Sequence, residues 1–577
     1  MERRTGPYAL REYAVLLDGE RGVVTGPNGD FVWMCFPYWH SPPVFSSLVG
    51  GGGMYEVAPV DPWRVWGGYY EDGSLVWRRR WVMREGVVEC REAMLLPGEG
   101  ERALILRRIK ALDGPARIRA RLEARADFGR RHMTGLRLED GVWAARSGDI
   151  HVRWAGAPDA RCDDGALCVE IDLEEGQTYD LLLELSSRPS DAPLNPDVAW
   201  SSTEAAWRAA VPPCDGTLAP HDTRFAYALL TGLTSTNGGM VAAVTSSLPE
   251  RLRGDRNYDY RYAWIRDQCY AGLAVAAHGE RCTLLDDAVR FLTERIMDDG
   301  ERLKPAYTVA GGDIPGEKRH ERLGYPGSAL VTGNRVIGQF QLDVFGELLN
   351  LFAAAARADR LSAEAAAAAR VAVGVISERW DRPDAGIWET GNRYWTHSRL
   401  ACVAGLRAAS AAIASRAETG RWLSLAETIL ADTTRRCLHS SGHWQRAADD
   451  GRVDASLLMP PIRGALTAAD PRTKATFDAV REQLVDEGFV YRYRPDGRPL
   501  GEAEGAFTLC GFLLALAEHQ QGLGAQARER FERVRSACGT TGLFTEEYDV
   551  RQRQLRANLP QAFVHALFLE VSHTLAN

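Results

Sequence analysis

The hydrophobic period of this chain changes once, near residue 195, and that change restricts the fold more than any other feature. Before it the pattern is that of strands. In Ala116 to Ala126, ARIRARLEARA, small or apolar residues alternate with charged ones, so one face of a sheet is covered and the other meets solvent. The runs RALILRRIKAL, GVVECREAMLL and YDLLLELSS repeat the pattern between Gly, Pro and Asp turns. Residues 1–195 are therefore expected to form an antiparallel β-sandwich. A short helical stretch, VAWSSTEAAWRAAV, followed by Pro212 and Pro213, makes 196–220 a connector. From 221 to 577 the period is helical. About twelve helix-sized segments start near residues 221, 262, 283, 335, 361, 397, 420, 454, 472, 504, 525 and 559. The strongest is AEAAAAARVAVGVISERW, because Ala-rich stretches have the highest helix propensity. Helices of alternating direction can close as six hairpins in two concentric rings. An open solenoid is the competing packing, but no repeat of fixed period supports it. A closed double ring gathers its functional residues on the loops at one end.

Composition removes several classes of function. The 69 basic and 77 acidic residues leave a net charge of −8, which argues against a surface that tracks phosphates, so nucleic acid is not an expected partner. No apolar run approaches the length a bilayer requires, and MERRTGPYALREY lacks the apolar core of a secretory signal. The eleven cysteines contain no CxxC pair, and Cys162 and Cys168 have no His or Cys companion at metal spacing. A reduced, cytoplasmic protein without structural zinc is the expectation.

The stretch Arg256 to Asp267, RNYDYRYAWIRD, sets Tyr258, Tyr260, Tyr262 and Trp264 among arginines and the carboxylates of Asp259, Asp267 and the preceding Asp255. Rings beside charged forks suit a sugar, whose C–H faces stack and whose hydroxyls take charge-assisted hydrogen bonds. The plainer reading is an amphipathic helix start with a packed aromatic face. The segment Asp30 to Pro43, DFVWMCFPYWHSPP, reads as a strand leading into an ordered loop. Three carboxylate sites fall at helix ends. In GIWE, Glu389 stands beside the Trp388 indole, where lost solvation raises a carboxyl pKa and favours a general acid. In GEAEGAF, Glu502 and Glu504 open an apolar helix, whose dipole keeps a carboxylate ionised, as a general base must be. Ordinary capping accounts equally for either one. Glu546-Glu547-Tyr548-Asp549 reads as a solvated turn. A protonated and an ionised carboxylate separated by about 6.5–9.5 Å are what inverting hydrolysis of a glycosidic bond requires.

The helical half resembles glycoside hydrolase family 15. The resemblance is carried by TSSLPE at Thr245 to Glu250, RNYDYRYAWIRD, GNRVIGQFQLDVFGE at Gly333 to Glu347, GIWE, THS at Thr396 to Ser398, DASLLMPP at Asp454 to Pro461, EGAF, and NLPQAFVH at Asn558 to His565. The early DFVWMCFPYWHSP is similar to the family's N-terminal sandwich. The resemblance implies an (α/α)6 barrel after a β-sandwich, and an inverting exo-hydrolase that releases β-glucose from the non-reducing end of a short α-glucoside. It implies Glu389 as general acid, Glu504 as general base, Arg266 and Asp267 as the clamp on the terminal glucose, and Trp264, Trp388 and Tyr260 as walls of that subsite. It implies no metal or organic cofactor and a small carbohydrate as partner. Linkages of the maltose, isomaltose and trehalose type stay open, as do an unusual glycoside and a non-catalytic sugar binder. The chain departs from the family pattern at Thr332, Gly391, Arg399, Val403 and Arg407, and in PYWHSP. These departures are expected toward the leaving-group side.

Overall fold

The computed structural model describes residues 7–251, 256–279, 281–321, 323–495, 498–502 and 504–577; Asp255, counted above beside the aromatic stretch, lies outside them. The N-terminal part is all antiparallel sheet. An eight-stranded sheet runs in spatial order through Met133–Glu139, Val142–Ser147, Ile150–Ala155, Thr178–Ser186, Arg102–Asp113, Val87–Met94, Trp77–Met83 and Arg64–Tyr70. A four-stranded sheet follows the order Arg161–Asp163, Ala166–Leu173, Ala116–Glu123, Met54–Pro59. In Ala116–Glu123 the period of two holds: Ala116, Ile118, Ala120 and Leu122 are buried, with Ile118 opposite Ile171 on one side and Pro59 on the other.

Alternation misleads in the larger sheet, where both faces are covered. Arg79, Arg107 and Glu92 are buried between layers. Arg79 and Arg107 both reach the Glu92 carboxylate, at 3.1 and 2.9 Å. The Arg107 guanidinium lies 4.0 Å from the Phe31 ring and 4.2 Å from that of Tyr55, so the charge that should face solvent is clamped between the sheets. A buried pair of this kind persists because losing one partner would strand the other charge.

Beyond the connecting helix α1 (Pro196–Ala210), twelve helices among the described residues form the double ring. They are α2 (Pro220–Leu233), α3 (Ile265–His278), α4 (Thr283–Asp299), α5 (Asp343–Arg357), α6 (Ala363–Arg379), α7 (Thr396–Ala412), α8 (Arg416–Cys437), α9 (Met459–Ile462), α10 (Pro471–Gln483), α11 (Thr508–Gln520), α12 (Gly524–Arg535) and α13 (Ala562–Thr574). The odd-numbered helices from α3 onward pack each on the next, and α13 closes on α3. Each even-numbered helix lies outside this inner ring. Inner helices are buried on every side, so α3, α11 and α13 carry apolar residues all round. Two expected starts are different in kind. The segment near 335 begins as the 3-10 turn Arg335–Gly338, with α5 starting only at Asp343, and the segment near 454 is the turn Ala455–Leu458 followed by one helical turn. Pro460 and Pro461 supply no N–H to a longer α9. Among the described residues no helix is long and apolar enough to cross a membrane.

Backbones approach closely where α5 meets α7. A Cβ on Gly346 would stand 2.4 Å from the Ala401 carbonyl, and one on Gly405 would stand 2.3 Å from the Gly346 oxygen. Backbone meets backbone there. Gly346→Val should therefore destabilise the protein by about 2 kcal/mol or more, seen as an earlier unfolding transition in calorimetry; an unchanged transition would contradict this packing.

Candidate active site

A cavity of about 740 Å³ opens at the end of the barrel where the loops preceding the inner helices gather. Two motifs far apart in sequence tie this end together. Thr245 Oγ1 donates to Asn558 Oδ1 at 3.0 Å and accepts from Leu559 N at 2.9 Å, while Leu248 N donates to the same Asn558 oxygen. TSSLPE is thereby fastened to NLPQAFVH.

The aromatic stretch enters the cavity just before α3. Trp264, Arg266, Tyr260 and Tyr258 line it. Arg266 donates through Nη1 to the Ile387 carbonyl at 2.9 Å and through Nε to Asp267 Oδ1 at 3.1 Å, and its guanidinium lies 5.2 Å from the Phe563 ring. Asp267 is not in the wall. It sits fully buried behind Arg266, and burial pushes its pKa up to about 6 against the pull of that arginine.

Glu389 reaches the cavity from the turn before α7. Its φ of +55° is left-handed, and Gly386, at φ +66°, occupies a place where a Cβ would stand 2.6 Å from the Trp395 ring. The turn GIWE therefore needs its glycine. Trp264 Nε1 donates to Glu389 Oε1 at 3.1 Å. Trp388 is fixed by donation to Asp454, 2.9 Å to Oδ1, and meets Phe507 edge-on. Below the turn, Asp384 accepts from Gly386 N at 2.8 Å and Ser398 Oγ at 2.9 Å, and is ion-paired with buried Arg399. Arg399, where the family pattern has a different residue, thus anchors the loop that carries Glu389.

Glu504 is not where the sequence reading put it. Helix α11 begins four residues later, at Thr508, and the Glu504 carboxylate lies one layer behind the wall, accepting from Arg492 Nη2 at 2.5 Å and Arg256 Nη1 at 3.1 Å. Burial pushes its pKa up, but these two guanidiniums outweigh burial and hold it below the usual carboxylate range. Besides Glu389, the carboxylates that do line the cavity among the described residues are Glu250 and Glu546. Glu546 Oε2 accepts from the Tyr260 hydroxyl at 3.0 Å, and the Tyr260 ring meets Trp264 edge-on at 5.4 Å. Burial and the Glu250 carboxylate push Glu546 up to about 8, opposed by Arg492 and Arg266. Glu547 beside it is also buried, accepting from Gly505 N at 2.8 Å. The solvated turn is in fact the hairpin Glu547–Asp549 with Gln554–Arg556, paired to Ala506–Phe507. The adjacent Glu546 and Glu547 with Tyr548 and Asp549, separated from NLPQAFVH by eight residues, were the available signal.

The departures from the family pattern fall outside the wall. Thr332 Oγ1 bonds His320 Nε2 at 2.9 Å in a small hairpin, Val403 is buried in α7, Arg407 pairs with Glu427, and Gly391 lends its carbonyl to Trp395 Nε1. In PYWHSP, Trp39 donates to the Gly19 carbonyl and Arg261 donates to the Ser41 carbonyl, so the loop braces the aromatic stretch from behind. Among the described residues no group of three or more His, Cys, Asp or Glu is arranged to hold a metal ion.

Comparison with known proteins follows the same division of the chain. The model for glycosyl hydrolases family 15 matches residues 226–573, and that for a trehalase-like N-terminal domain matches residues 8–156. The trehalase of Mycolicibacterium smegmatis is 28% identical over 98% of this chain and 91% of its own length. That of Mycobacterium tuberculosis is 27% identical over 98% and 89%. A bacterial glucoamylase complexed with acarbose superposes with a TM-score of 0.69 at 13% identity, covering 99% of this chain and 96% of that one, which establishes the two-part fold.

Because Arg399 and Asp384 are both buried, removing one strands the other. Arg399→Leu should cost about 3–5 kcal/mol in chemical denaturation, and the double change with Asp384→Leu should recover part of that loss. A single variant as stable as the parent would contradict the anchoring role.

Proposed function

The chain belongs to glycosyl hydrolases family 15 and hydrolyses α-glucosides, and on that premise we propose that it splits trehalose by inversion, with Glu389 as general acid and Glu546 as general base. The observation that carries the residue assignment is that these two carboxylates share one cavity, each held by one ring of the Tyr260–Trp264 pair. The full-length likeness to two trehalases supports the substrate. A cytoplasmic location belongs to the same reading, supported by eleven cysteines without a disulfide.

In this reading the terminal glucose enters the buried end, against Trp264, Phe563 and Ile387, with Arg266 reaching its outer hydroxyls. The departing sugar faces the mouth. Glu389, with one oxygen engaged by Trp264, turns the other toward the glycosidic oxygen and protonates it. Glu546 takes a proton from the water that attacks the opposite face of C1, so β-glucose forms from the α-linkage. Glu504 acts at one remove: it holds Arg492 and Arg256 in the wall, and through Arg492 it sets the field at Glu546.

Fluoride leaves without help from an acid, so α-glucosyl fluoride separates the two roles. Glu389→Gln should lower trehalose turnover by about 10³-fold while sparing much of the fluoride reaction, and Glu546→Gln should abolish both. If Glu504→Gln, rather than Glu546→Gln, abolishes both, the base is Glu504. Proton NMR should show β-glucose appearing first alongside an equal amount of the α-anomer from trehalose.

The pH profile gives an independent check. A base must be ionised, so kcat/KM rises with pH through the Glu546 pKa. Glu250→Gln removes the carboxylate that raises that pKa. The ascending limb should therefore move to lower pH. No movement, or movement the other way, would remove Glu546 from the role.

A further inference from the structure

The mouth of the cavity has far more cationic groups than a neutral sugar needs. Nine of the 27 described residues that line the cavity are arginine, one in three, where the whole chain of 577 has 65, about one in nine. None is lysine. The surplus is notable in a chain of net charge −8.

Pairing divides these arginines into three groups of three. Arg256, Arg266 and Arg492 are spoken for by Glu250, Glu504, Glu547 and Asp267. Arg393, Arg446 and Arg452 converge on the single carboxylate of Asp450, at 3.7, 3.8 and 2.6 Å, and Arg393 also meets Asp449 and Arg446 also meets Asp454. Exposed Arg251, Arg335 and Arg498 pair with no carboxylate among the described residues, and Arg335 lies over the Tyr258 ring at 5.7 Å. Hydroxyl groups are served as well by Asn or Gln. A surplus of planar guanidiniums is suited to an oxyanion, which takes two parallel charge-assisted hydrogen bonds from each.

We propose that, beyond trehalose itself, this enzyme takes α-glucosides whose leaving group carries an oxyanion, a phosphate, sulfate or carboxylate, held at the mouth by Arg335, Arg498 and the Arg393 cluster, and prefers them to neutral ones. The inference rests on the α-glucoside hydrolase reading and on the terminal glucose filling the closed end. It does not depend on which glutamate is the base.

Two aryl glucosides test it: 4-(carboxymethyl)phenyl α-glucoside and the corresponding carboxamide, whose phenols are of nearly equal acidity. The carboxylate should be preferred by about tenfold in kcat/KM, mostly through KM, at low ionic strength, and the preference should shrink toward unity in about 0.5 M salt as screening sets in. Arg335→Gln with Arg498→Gln, both at exposed positions, should reduce the ratio between the two substrates several-fold. Equal cleavage of the two substrates by the parent enzyme would overturn the oxyanion while leaving the hydrolase reading intact. No cleavage of either, with trehalose also untouched, would overturn both. Stimulation of carboxamide cleavage by inorganic phosphate would show that the arginines serve a free anion and would overturn a charge carried by the leaving group.

Discussion

The carboxylates of Glu250, Glu504, Glu546 and Glu547 and the guanidiniums of Arg256 and Arg492 meet in one network at the end of the barrel, and the shape of the site follows from their mutual need. Arg492 alone contacts Glu504 at 2.5 Å, Glu547 at 3.4 Å and Glu250 at 3.9 Å. Buried charges are tolerated only when paired and hydrogen-bonded. With more carboxylates than guanidiniums in the network, at least one carboxyl is driven toward its protonated form, and Glu250, Glu546 and Glu547 are all displaced upward while Glu504 is held down. A group able to exchange a proton near neutrality is thereby created beside the cavity.

Glu389 is supported in a different way. No guanidinium touches it among the described contacts; its place is set by backbone, through Gly386 and the left-handed turn, and by the buried Asp384–Arg399 pair underneath. One carboxylate is thus positioned by charge and the other by shape. The sandwich contributes at a distance: Trp33 donates to the Val244 carbonyl and Arg261 reaches Cys35 and Ser41, so the segment bearing Trp264 is braced against the N-terminal sheets. Preorganisation of this kind is what holds reacting groups within the small tolerance that catalysis demands.

The (α/α)6 barrel and the β-domain before it were legible because burial on one face imposes a period, and the period changes only once. The starts of α2, α4, α6, α7, α10 and α12 fall within two residues of those read from the pattern. The pattern failed where burial is two-sided or polar. Arg107 and Glu92 alternate as a solvent face should and are buried between sheets. Glu546 and Glu547 read as a solvated turn for the same reason: periodicity scores a charged residue as exposed, and only pairing with Arg492 and Tyr260, distant in the chain, makes its burial affordable.

The amino-acid sequence by itself determined the order of the two architectures, the aromatic and arginine-rich stretch that lines the cavity, and the turn that presents Glu389. Each is local, set by period, by glycine or by neighbours within a dozen residues. Tertiary structure alone decided which of Glu504 and Glu546 lines the cavity with Glu389. Glu504 stands four residues ahead of α11 and Glu546 sixteen ahead of α13, and each has a second glutamate close by in sequence. What separates them is that Arg256 and Arg492 arrive from other loops to enclose Glu504, while Tyr260 draws Glu546 to the cavity wall.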